Sequence, residues 1–284
     1  MTLAALALVV CAAGLHAGWN ALAKRGQDQV VFLWLASVAS TAALAPFGLW
    51  ILARDGFPAD AGPFVAGTII VHALYFYALG RSYRTGAYSL VYPVARGVGV
   101  ALVPLVAFAV FDERLSPLGS VGVALVVAGI ASLHVLPGRR AGAAAWPHRS
   151  LAWAVLTGLT IAAYSVLDKA GVARLNPVPY MLLLEAGCSL VGAPLIWLRR
   201  DAVRHELPHW RTISLAAVMS ALAYTLVLFA FRLSKIGYVV AARELSIVLS
   251  AVLGSLWLRE GRLGPRLAGA AIVLAGVMCV ALAR

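Results

Sequence analysis

Residues 3–23 read LAALALVVCAAGLHAGWNALA, twenty-one positions without one Asp, Glu, Lys or Arg. A transmembrane helix needs ~20 mostly apolar residues, so this run is long enough to cross a bilayer. No basic segment precedes it, and no A-x-A site followed by a break ends it. It therefore reads as a first helix rather than a cleaved signal. The pattern recurs along the whole chain. Apolar windows of suitable length predict helices at roughly 3–23, 30–53, 63–81, 86–111, 117–136, 151–171, 178–198, 212–233, 237–258 and 264–283. The fold class expected is an all-α integral membrane protein of ten transmembrane helices.

Composition agrees. Of the 284 residues 62% are hydrophobic and 12% charged, about half the ~25% charged share of an ordinary soluble domain. The net charge of +12 would suit nucleic acid in a soluble protein. Here the basic residues punctuate apolar stretches, where they meet anionic lipid headgroups, and nucleic acid is excluded as a partner. Cys11, Cys188 and Cys279 lie far apart inside apolar stretches and read as packing residues. Neither a disulfide nor a metal site is expected, and no cofactor. The longest connectors, Pro137 to Ser150 and Arg199 to Arg211, are too short for a nucleotide-hydrolysing domain. Gradients must then drive any transport unless another subunit does so.

The two halves of the chain are related. Sliding the second back by 147 positions matches Arg96 with Arg243, Glu113 with Glu260, Gly122 with Gly269 and Gly129 with Gly276. Near the start of each half an offset of 145 pairs Trp19 with Tyr164, Leu22 with Leu167, Lys24 with Lys169 and Gly26 with Gly171. Five helices per half is an odd number, so the second half enters the membrane upside down. Residues 1–137 and 150–284 are thus expected to form two inverted five-helix repeats.

Three features together resemble the drug/metabolite transporter superfamily, EamA-type. They are the segment from His16 through Trp19 and Asn20 to Lys24, the stretch Tyr92-Pro93-Val94-Ala95-Arg96-Gly97, and a Glu followed by Gly-x6-Gly at the end of each half. The resemblance covers nearly the whole chain. It implies two EamA-type five-helix repeats around a central cavity and the export or uptake of metabolites. The combination of His-x-x-Trp-Asn with Tyr-Pro-x-Ala-Arg-Gly is also similar to a branch linked with phosphonate utilisation. Small multidrug-resistance relatives carry a glutamate in the first helix. This chain has His16 and Asn20 there, so cation-for-proton exchange at such a glutamate is not carried over.

An ionisable group inside a span costs ~2.5–3.5 kcal/mol on insertion scales and calls for a partner or a watery cavity. Arg96 and Arg243 fall well inside their predicted helices and are the leading candidates for binding an anionic group of a substrate. Tyr88, Tyr92 and Arg96 recur every four residues on one face. The rival reading pairs Arg243 with Glu185 or another carboxylate as a helix fastener. Glu244, turned about 100 degrees from Arg243, is expected to face another helix. His16, Asn20 and Lys24 share a stripe on the first helix with Trp19 beside them, and His72 stands mid-span on the third. The substrate-binding set is therefore Arg96, Arg243, Trp19, Asn20, Tyr92 and His72, with His16, Glu185 and Glu244 assigned to coupling or helix pairing. Asp168 and Lys169, near the end of the sixth helix, are expected to be solvated or paired. Glu113 and Glu260 read as interface structure. Gly14 with Gly18, Gly122 with Gly129 and Gly269 with Gly276 read as close helix contacts, compatible with a homodimer.

No paired aspartates, His-Glu metal pattern or nucleophile with its base occur at catalytic spacing. A secondary transporter of a small organic metabolite in the plasma (inner) membrane, working by alternating access, is preferred to its two rivals. These are a polytopic enzyme acting on a small or lipid-linked substrate and a non-catalytic membrane subunit. Orientation divides the signals. Loops after the odd helices carry 14 Lys and Arg and the opposite face 7, which places both termini outside, whereas the resemblance implies cytoplasmic termini. The charge count is followed here.

Overall fold

A computed structural model of the chain describes residues 1–23, 26–85, 88–140, 148–249 and 263–283. Among these residues the regular elements are all helical: α1 (Leu3–Ala23), α2 (Gln29–Asp55), α3 (Gly62–Thr85), α4 (Tyr88–Phe111), α5 (Pro117–Arg140), α6 (His148–Val172), α7 (Pro177–Trp197), the short α8 (Arg200–Glu206), α9 (Trp210–Leu233), α10 (Ile236–Arg243) and α11 (Leu263–Leu282). Seven helical stretches among the described residues are long and apolar enough to cross a membrane, and α5 and α11 contribute shorter apolar stretches. This is a multi-pass membrane protein.

Local chemistry sets the helix ends. Asp28 caps α2, its carboxylate accepting the Val30 and Val31 amides at 3.0 and 3.2 Å. Gly56 closes the same helix at φ 78°, returning its amide to Leu52 O, a left-handed conformation that glycine takes without a Cβ clash. Asn176 caps α7 ahead of Pro177, and Pro117 opens α5 as its fixed φ favours.

One expectation needs correcting. The predicted uninterrupted helix over 237–258 is broken at Glu244, where the backbone turns before helix resumes over 245–249; beyond that the segment lies outside the described residues. The Glu244 amide reaches Ala241 O and the Ile247 amide reaches Glu244 O, so three-residue bonding replaces the four-residue ladder at this point. The break falls beside two of the charged residues singled out by the sequence.

The principal helix contacts are α1 on α9, α3 on α6, α4 on α6, α2 on α7 and α5 on α11. The last is built on glycine, as expected. A Cβ on Gly122 would stand 2.8 Å from Gly276 O, and one on Gly129 would stand 2.8 Å from Val273 N and 3.1 Å from Gly269 O. Backbone therefore touches backbone at two places along the pair. Gly18 packs on the Met219 side chain, whereas Gly14 has nothing within 4 Å. The Met1 amino group donates to Ala283 O, so the two ends of the chain lie on one face. That face also gathers the connectors at Asp55–Gly62, Phe111–Ser116, Ala173–Asn176 and Ser234–Lys235.

Candidate functional site

Arg96 on α4 and Glu244 at the break after α10 form a two-pronged ion pair. Arg96 Nε donates to Glu244 Oε2 at 3.0 Å and Nη2 lies 2.8 Å from Oε1. Both side chains are buried. A fork of this kind matches guanidinium to carboxylate geometry. Glu244 thus faces another helix, and the carboxylate that takes an arginine takes Arg96 rather than Arg243.

Arg243 is left in a different state. Its side chain is 5% exposed, and Nη2 donates to Tyr164 Oη at 3.3 Å. Nε is buried without a hydrogen-bond partner among the described residues, and none of their carboxylates stands within ion-pair distance. Neither Glu185 nor any other described acid fastens it. An unmet donor on a buried cation carries a desolvation cost that an incoming oxyanion would relieve.

Aromatic rings wall this side of the core. His72 stacks on Tyr164 with ring centroids 4.3 Å apart, and Tyr75 and Tyr224 meet Tyr164 edge-on at 5.8 and 6.5 Å. His72 Nδ1 lies 2.9 Å from Thr68 O and 3.0 Å from Thr68 Oγ1. The imidazole is therefore held from one ring nitrogen. His16 on α1 is within electrostatic reach of both Arg96 and Arg243.

Other members of the expected set are engaged locally. The Trp19 indole donates to His16 Nδ1 at 3.2 Å, and Asn20 Nδ2 donates to His16 O at 2.7 Å. Trp19 packs with Leu22 against Phe32, Ile213 and Ala217. Glu185 sits at the α2–α7 contact, where Ser37 donates to its carboxylate and Ser189 donates to Ser37 at 3.1 Å. The Tyr88 and Tyr92 side chains, Lys24 and Glu260 lie outside the described residues. Glu113 does serve as connector structure: its Oε1 is 2.6 Å from Lys169 Nζ, and Oε2 accepts the Ile236 amide at 2.8 Å, which covers an orphan donor at the start of α10.

Asp168 departs from the sequence reading of a solvated or ion-paired group. It is fully buried; Oδ1 accepts Thr68 Oγ1 at 2.5 Å and Tyr180 Oη at 2.9 Å, and Oδ2 accepts Tyr224 Oη. The spacing Tyr164–Asp168 was visible in the sequence. Thr68, Tyr180 and Tyr224 sit in apolar runs with no local polar pattern, and only packing brings them to one point.

The fold and site define a multi-pass helical membrane protein whose charged and aromatic residues meet inside the helix bundle. Within that class, residues 148–282 match the EamA-like transporter family and residues 59–126 match the Small Multidrug Resistance protein family. Both matches accord with the drug/metabolite transporter superfamily, and they mark the chain as a membrane transporter of small molecules. No curated protein matches the chain. A solved crystal structure aligns with it at a TM-score of 0.71 and 18% identity, over 99% of this chain and 97% of the other. That likeness is one of fold.

Proposed function

We propose that the chain is a secondary transporter of the plasma (inner) membrane that carries a small organic metabolite by alternating access, with an anionic group of the substrate bound at the arginine centre. Arg243 makes the first contact; Arg96 completes the pair when Glu244 releases it. The observation that carries the reading is the buried Arg243 guanidinium with an unmet Nε at a break in its helix. Discontinuous helices near the middle of a transporter are where substrates and ions bind. His72, Tyr92, Trp19 and Asn20 belong to the same proposed space, with His16 as its electrostatic neighbour.

Alternating access rests on residues 1–137 and 150–284 being inverted repeats. The contact pattern supports this, since α1 on α9 and α6 on α3 exchange when each helix is replaced by its counterpart, whereas α2 on α7 and α5 on α11 map onto themselves. The glycine contacts behave likewise: Gly122 with Gly276 becomes Gly269 with Gly129. Such self-complementary contacts are what a two-fold relation requires.

A thermal-stability screen of the purified protein against carboxylates, phosphonates and amines tests the reading, because selective binding raises apparent stability. An anionic metabolite should stabilise the wild type. Arg243→Gln should weaken its binding about tenfold or more, the scale of one hydrogen bond to a charged group. Arg243→Lys should fall between, keeping charge without the fork. A substrate that proves purely cationic, or one that binds a well-folded Arg243→Gln unchanged, defeats the assignment.

A further inference from the structure

We propose that Asp168 is a proton-binding site whose occupancy is tied to the packing of α3, α7 and α9 against α6. This gives the transport reading a coupling ion and rests on that reading for its use, though not for the existence of the site. Four acids of the bundle and its rim differ in their counterparts, Glu185 having the single hydroxyl of Ser37. Glu244 faces Arg96 and Glu113 faces Lys169. Asp168 faces only hydroxyls at hydrogen-bond distance, one each from Thr68 on α3, Tyr180 on α7 and Tyr224 on α9. Protonating Glu244 or Glu113 would strand a cation, whereas protonating Asp168 strands nothing. A hydroxyl both donates and accepts, so the same cage turns its hydrogens and receives the acid proton.

The cage also supplies the linkage. Three donors from three helices hold the anion while the helices stay together. If one helix withdraws, the carboxylate loses a donor and its proton affinity rises. Proton binding and helix separation then favour each other.

The charged neighbours on each packed element are few. His72 on α3 is joined to the site through Thr68, Arg243 on α10 lies beyond the Tyr164 and Tyr224 rings, and Glu185 on α7 shares Cys188 with Asp168 as an electrostatic neighbour. Lys169, next along α6, is turned away to Glu113, Phe231 O and Ser234 O. A cavity of about 380 Å³ lined by Lys169, Ala170, Ala173, Phe231 and Arg232 opens between α6 and α9 on the face of the termini. Its lining reaches Lys169, the residue after Asp168, but not Asp168 itself. The step is one transfer: a hydronium gives its proton to an Asp168 oxygen and leaves as water, and the anion becomes a neutral acid.

Infrared difference spectra of the full chain in liposomes, recorded between neutral and acid pH, read this directly. The wild type should show the C=O stretch of a poorly solvated protonated carboxylic acid, and Asp168→Asn should lack it. Tyr224→Phe removes one donor to the anion and should let the band appear at about tenfold lower proton concentration. Wild-type and Asp168→Asn spectra that coincide over the range where circular dichroism reports an intact helix content would overturn the proposal. Should Asp168→Asn not fold, an unmoved Tyr224→Phe midpoint overturns it instead. Transport does not enter the measurement: a missing band removes the proton site and leaves transport standing, and a band in a protein that moves no solute does the reverse.

Discussion

A buried guanidinium that holds a carboxylate with two prongs and one that does not are chemically unlike, although the repeat relates them. Arg96 and Glu244 neutralise each other inside the bundle. Removing one partner of such a pair costs ~3–5 kcal/mol, because the other charge is left uncompensated. Glu244→Gln should accordingly lower the unfolding midpoint in detergent, and adding Arg96→Met should recover most of the loss. If the double variant is as unstable as the single one, the pair is not what Glu244 contributes. Arg243, with no carboxylate to lose among the described residues, should tolerate Gln with little change in stability while losing anion affinity. The two arginines therefore separate by what is measured: stability for one, binding for the other.

At the scale of elements, α5 and α11 offer the sharpest test because their contact leaves no room for a side chain. A methyl on Gly276 would sit 2.7 Å from Gly122 O, and backbone cannot yield as a flexible side chain would. Gly276→Ala should cost ~1–3 kcal/mol, the usual range for overpacking, read as a fall in the thermal midpoint. Gly14→Ala, with open space around its Cβ, is the control and should be silent. The start of α2 offers a milder case. Asp28→Ala removes the two capping bonds, worth about 1 kcal/mol, together with the partner of Arg199 at 3.1 Å. Salt should mask only the Arg199 share, since exposed pairs are screened.

For the whole molecule, the connectors divide between two faces. Met1, Asp60, Glu113, Arg174, Lys235 and Ala283 share one, tied by Arg174 to Asp60 at 3.3 Å, Lys235 Nζ to Arg114 O at 2.6 Å and Lys169 to Glu113. Asp28, Arg199 and Glu206 share the other, where Glu206 accepts the Asp28 amide at 2.7 Å. The charge count proposes that the face of the termini is outside. Single cysteines at Arg140 and Arg204, probed with an impermeant thiol reagent in intact cells lacking the native cysteines, should then stay unlabelled. Ready labelling would put the termini in the cytoplasm, as the family resemblance implies.

Membrane insertion and helix placement were legible from the chain because both depend on local quantities, namely apolar length, breakers and capping residues within a few positions. Glu113 as connector structure and the glycine seam of α5 and α11 were legible too, since charge at a connector and small residues two turns apart each have one natural use. The break at Glu244 was not visible, for no proline or glycine stands beside it and the charged pair Arg243-Glu244 does not by itself end a helix. Nor was the partner of Arg96, which is separated from Glu244 by 148 positions. The Asp168 cage needed three hydroxyls from three helices to converge. Periodicity along one helix reports which residues share a face and is blind to what that face meets; the meeting is decided by packing between helices, which only the tertiary structure contains.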